Sequence, residues 1–125
     1  MREILFRGVG KNTGRWEFGN LVRFTNGDCA IINGSGSDSY LLLHVRPETV
    51  GQYTGLDDKN GVKIFGGDIL RGSMVNLIVA YEGAGFIAYW MDHDYGYGTE
   101  KMWCNLVEGG EVIGNIHDNP EVQND

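Results

Sequence analysis

Three Asn-Gly pairs, Asn26-Gly27, Asn33-Gly34 and Asn60-Gly61, cut the first half of this 125-residue chain into short apolar runs. Both residue types tolerate positive φ, so such a pair between alternating side chains is a strong local signal for a tight hairpin turn. β-rich runs bounded by turn residues fall at 15–18, 21–25, 29–32, 40–45, 50–53, 68–71, 75–81, 85–90 and 112–116. From 75 onward, Val75, Leu77, Val79 and Tyr81 form a wholly apolar set, while Asn76, Ile78, Ala80 and Glu82 form a mixed one. That is the pattern of a strand with one face in the core. No stretch of about ten residues keeps a helical apolar period without a glycine, so the helix content expected is a turn near Pro47 or around 103–107. Glycine makes up 20 of 125 residues, more than twice the usual share of about 7%. With only two prolines beside it, that glycine belongs to turns. Strands this short, at this spacing, predict a mainly β protein built as a small barrel or sandwich.

No apolar run approaches the roughly 20 residues needed to cross a bilayer as a helix. The opening MREILFR has too short an apolar centre for a signal peptide. Cys29 and Cys104 form no Cys-x-x-Cys pair and are too few for a disulfide framework, which predicts reduced thiols and a cytoplasmic protein. The net charge of −7 is unevenly placed. Residues 1–46 hold six basic and four acidic side chains, and residues 47–125 hold four basic and thirteen acidic ones. An acidic second half opposes binding to a phosphate backbone, which rests on Lys and Arg. It suits a solvated surface or an electronegative face for a basic partner.

Sliding the chain along itself aligns KNTGRWEFGNLVR (11–23) on KNGVKIFGGDILR (59–71) without gaps, and then ETVGQY (48–53) on EVIGNI (111–116). Two blocks in the same order predict two related β units, divided here as residues 1–56 and 57–125. Strand–turn–strand units of this size are typical of small, strongly bent barrels.

The central blocks, PETVGQYTGLDDKNG (47–61) and KIFGGDILR (63–71), resemble the signature of the YopX proteins of phages and prophages. The opening MREILFRG with Trp16 and the closing EVIGNIHDNP (111–120) resemble the two ends of that family. Residues 35–40 and 92–101 are the divergent parts. The resemblance implies an SH3-like barrel architecture, a bacterial or phage setting, and a family with no established biochemical activity. It carries no catalytic motif over. Gly66 stands where the family pattern leads one to expect an acidic residue.

Chemistry-bearing clusters are sparse. Asp92-His93-Asp94 could offer metal ligands, but an extended strand puts His93 on the face opposite the two carboxylates, and no further ligand lies at a recognisable spacing. Gly34-Ser-Gly-Ser37 lacks the lysine of a phosphate loop, and Gly96 and Gly98 lack its context. Cys29 lies in an apolar run and reads as a small core residue, as does Cys104. Asp57-Asp58, beside Lys59 and Asn60, reads as turn chemistry. No nucleophile elbow or triad signature is present. The expectation is therefore a non-enzymatic protein-interaction module without cofactor or metal.

Its partner would be a host or phage protein, or a second copy, contacted through the aromatic segment holding Tyr89, Trp90, Tyr95, Tyr97 and Trp103 and the acidic C-terminal region. Tyr and Trp in an adaptable loop supply contact area at low rotamer cost. The alternative is a nucleic-acid-binding small barrel, with Arg7, Lys11, Arg15 and Arg23 meeting phosphates beside Trp16, Phe18 and Phe24. The alternating positions of Trp16 and Phe18 assign them instead to the barrel core.

Overall fold

The computed structural model describes residues 3–34, 40–71, 76–82, 85–90 and 109–119. The chain divides into two compact units, Met1–Tyr53 and Thr54–Asp125. Mainly β structure, as the turn spacing predicts, holds in both.

The first unit contains β1 (Phe6–Val9), β2 (Trp16–Arg23), β3 (Cys29–Gly34), β4 (Tyr40–Val45), a 3₁₀ turn at Pro47–Thr49 and the start of β5 (Gly51–Asp57). All pairings are antiparallel: β1 lies between β2 and β5, β2 pairs with β3, and β3 with β4. The end of β4 returns to β1. Val45 bridges Gly10, the Lys11 amide donates to the His44 carbonyl at 2.8 Å, and the Arg46 amide donates to the Val9 carbonyl at 2.9 Å. The Asn26-Gly27 turn forms as its residues dictate. Gly27 takes φ 94°, and the Asn26 side-chain oxygen accepts the Asp28 amide at 3.0 Å. Asn33-Gly34 behaves differently. Both residues stay in β3, with Asn33 opposite Leu41 and Gly34 opposite Tyr40, so ladder pairing overrides the local turn preference.

The two runs expected at 15–18 and 21–25 are one strand, β2, passing straight through Gly19. A side chain at Gly19 would sit on the Ile32 carbonyl oxygen, so glycine here permits close backbone approach rather than a turn. The core of this unit is Cys29, Ile31 and Val45, packed with Phe6, Leu21 and Val50. Cross-strand register puts them together, since Leu21 lies opposite Ile31 and Cys29 opposite Val45. Full burial of a side chain such as Ile31 is worth about 2 kcal/mol.

The second unit holds the far half of β5, β6 (Lys63–Phe65), β7 (Asp68–Arg71), β8 (Asn76–Glu82), β9 (Gly85–Trp90) and β10 (Glu111–Asn115). β6 lies beside β5, and the other four strands form an antiparallel sheet in the order β10-β7-β8-β9. Apolar clusters lie on both faces. Leu70, Leu77, Val79 and Ala88 pack with Ile64, and Ile69 and Ile78 pack with Ile116. The alternation read in 75–81 is therefore half the pattern: Ile78, from the mixed set of β8, is also buried, at 3% exposed.

The aligned blocks differ in how their closing segments pair. β10 joins β7, whereas β5 joins β1 rather than β2. Among the described residues no helix is long and apolar enough to cross a membrane.

Candidate functional site

A sheet with one face in the core normally turns polar side chains to water on the other. The first unit does not. Arg7 lies opposite Phe18 and Val9 opposite Trp16, while Asn20, Ile32 and Leu42 align across three strands, and so do Val22, Ala30 and His44. By register all lie on the face away from Cys29, Ile31 and Val45. Arg7, Val9 and Ala30 are buried there, and the exposed part lies at Phe18, Phe24 and Leu42. Phe18 is 44% exposed, Leu42 48% and Phe24 36%. Trp16, Val22 and Ile32 are half-buried. Phe24 stacks on His44 with ring centroids 5.8 Å apart. An exposed apolar face framed by polar residues marks a docking surface more often than chance exposure.

Trp16 and Phe18 therefore stand outside the core to which alternation assigned them. Two of the inner positions near them, Gly8 and Gly19, are glycines because the core-side space there is already filled. A side chain on Gly8 would stand 3.0 Å from the Val45 Cβ.

The four cations of the nucleic-acid alternative are not brought together as an equivalent set. Arg7 is 7% exposed, its guanidinium 4.6 Å from the centre of the Trp16 ring. That is a cation–π contact inside the fold, not a charge offered to a phosphate. Lys11 reaches Asp28 at 3.9 Å, and Arg15 and Arg23 are exposed. In the second unit, Tyr89 is the cross-strand partner of Ile78 and Trp90 of Leu77. Tyr95, Tyr97, Trp103, Cys104 and Asp92-His93-Asp94 lie outside the described residues, as do residues 35–39 and the tail after Asn119.

The buried carboxylates are occupied by backbone. Asp58 is 6% exposed. Its Oδ1 accepts the amides of Asn60 at 2.8 Å and Val62 at 2.9 Å, and its Oδ2 accepts the Val112 amide at 2.9 Å. Burial alone would push this carboxyl up, but the amides of Val112, Val62 and Asn60 and the Lys59 ammonium outweigh it and hold it below the ordinary value. Asp68, 1% exposed, accepts the Phe65 amide at 2.8 Å. Both fasten turns to strands. Among the described residues no group of three or more His, Cys, Asp or Glu side chains is placed to hold a metal ion.

Sequence reasoning missed Leu42 and His44. Leu41, Leu42 and Leu43 are uniformly apolar, so period-two alternation has nothing to sort. The one available signal was that three adjacent leucines cannot all face one core.

The sequence model of the YopX protein family matches residues 5–122. No curated protein matches the chain. A solved structure, protein EF1440 from Enterococcus faecalis, is similar at 26% identity with a TM-score of 0.54, over 98% of this chain and 99% of that one.

Proposed function

This chain belongs to the YopX family, and from that premise we propose a non-enzymatic protein-interaction module, encoded by a phage or prophage and acting in the bacterial cytoplasm. Its docking surface is the outer face of the first unit, where Phe18, Phe24 and Leu42 are exposed on the side away from the core. That face is the observation on which the reading rests. It mixes aliphatic and aromatic groups, which suits a protein partner better than a stacking platform for bases. Withdrawal of Arg7 against Trp16 weakens the nucleic-acid alternative further.

An SH3-like barrel is the architecture we assign to the first unit, supported by the return of β4 to β1 through Gly10 and Val45. Descent of the two units, 1–56 and 57–125, from one ancestor is supported by the gapless match of 11–23 on 59–71, followed in the same order by 48–53 on 111–116. The aromatic segment from Tyr89 to Trp103 would supply a second contact.

Affinity capture from lysogenic cells tests the reading, using the intact protein, the double variant Phe18→Ser/Phe24→Ser and a variant lacking residues 92–99. The double variant should stay within about 1 kcal/mol of the parent in stability, because both side chains are substantially exposed, and should lose its partner. Equal recovery by parent and double variant would reject the face. Salt-sensitive retention of DNA or RNA, lowered by Arg15→Ala or Arg23→Ala, would favour nucleic acid instead.

A further inference from the structure

β4 is an edge strand. β3 pairs with it along its whole length, from Val45 to Tyr40. On its other side, among the described residues, only the last part is occupied. There His44 accepts the Lys11 amide, Val45 bridges Gly10, and Arg46 donates to Val9. The chain then turns away at residues 11–13. In an antiparallel strand a residue's N–H and C=O point to the same side, and the side alternates from one residue to the next. Since His44 and Arg46 direct theirs toward β1, Leu42 and Tyr40 direct theirs the same way, beyond the point where β1 stops.

Natural edges of this kind are protected by a lysine, a proline or a bulge. Tyr40–Val45 reads Tyr-Leu-Leu-Leu-His-Val and has no lysine or proline. Its register with β3 runs unbroken. Leu41 is 64% exposed and Leu42 48%.

We infer that this open stretch pairs with the same stretch of a second copy, antiparallel, about a two-fold axis at Leu41. Two features select a second copy over another strand. No residue of β4 is Asp, Glu, Lys or Arg, so self-pairing sets no like charges opposite one another, and a charged partner strand would find nothing complementary. Among the described residues the open backbone groups of β4 are those of Tyr40 and Leu42, and these complement each other in one register. Tyr40 of each copy lies opposite Leu42 of the other, each pair exchanging both N–H···O bonds. Sliding toward His44 would collide with the bond it already makes to Lys11. The interface is isologous, as in most homodimers, and uses a strand edge rather than the outer face described above.

In this register Leu41 faces its own symmetry mate as a non-hydrogen-bonded pair, with Cα atoms about 4.5 Å apart, within the span of a disulfide. The test is oxidation of full-length Leu41→Cys at micromolar concentration, with Val62→Cys, also exposed but in the second unit, as control. Leu41→Cys should form a 41–41 crosslink, mapped by mass spectrometry, at twice the 13.9 kDa chain mass. It should do so roughly a hundredfold faster than the control, because pairing raises the effective thiol concentration. Light scattering should give a dimer for the parent and a monomer for Leu41→Glu, which places two carboxylates opposite each other. A monomeric parent, or crosslinking no faster than the control, would overturn the inference. So would a dimer that Leu41→Glu leaves intact. Should Leu41→Cys fail to fold, light scattering on the parent and Leu41→Glu still decides.

Discussion

Replacing Asp58 by alanine removes one acceptor group from three backbone amides at once. Hydrogen bonds to a charged group contribute about 1.5–3 kcal/mol each when their donors cannot reach water instead. Asn60 and Val62 are exposed residues, so their amides regain solvent and the loss there is about 0.5 kcal/mol apiece. Val112 is half-buried and packs against the Ile64–Leu70–Leu77 cluster, so its amide bears most of the penalty, about 2 kcal/mol. The sum is about 3 kcal/mol, read by urea unfolding at pH 7.

Asp58→Asn should lose about 2 kcal/mol, since one amide group can still serve Asn60 and Val62 but turns an N–H toward the Val112 donor. Because the carboxyl of Asp58 is held below its ordinary value in the folded protein, its contribution is fully present above the unfolded pKa of about 3.9 and is lost as pH falls through the lower folded value. The gap between parent and Asp58→Asn should therefore be constant from neutral pH to about 5 and narrow below about 4. Hydrogen exchange at the Val112 amide should accelerate in both variants. A loss under 0.5 kcal/mol at pH 7, or a gap unchanged well below pH 4, would refute the assignment of Asp58 as the clamp on β10.

Gly19→Ala should cost about 3 kcal/mol, because the new methyl meets the Ile32 carbonyl and the backbone must shift. Gly27→Ala should cost only about 1 kcal/mol, for φ 94° with open space around it, which is the strain of a left-handed alanine. Parallel urea melts of the two would expose any error in this ordering. Leu70→Ala, at a fully buried position, should lose about 3 kcal/mol, with a matching fall in the denaturation midpoint and an unchanged slope.

Much of this fold is legible from residue pattern alone, and the parts that are not share a cause. Turn chemistry at Asn26-Gly27 and Asn60-Gly61 is local, as is the 3₁₀ turn begun by Pro47, and each forms where the residues say. Asn33-Gly34 misleads because pairing with Leu41 and Tyr40, several residues on, outweighs a two-residue preference. Trp16 and Phe18 mislead because alternation reports that two faces differ without saying which one is inside. That choice is made by Gly8 and Val45, distant in sequence. The Asp58 clamp reaches an amide 54 residues away, and no spacing rule anticipates a contact of that kind. Family membership, by contrast, is visible in blocks 47–61 and 63–71, where short-range motifs keep their order.

The placement of β1 bears on how the chain is made. Its residues leave the ribosome among the first, and β2 can pair with them soon afterwards, but β5, the neighbour on its other side, begins only at Gly51, about 45 residues later. At translation speeds of roughly 5–20 residues per second this is a wait of about 2–9 s, far longer than hairpin formation takes. The nascent β1-β2 hairpin thus has time to form before the strand that flanks β1 on its other side has been synthesised.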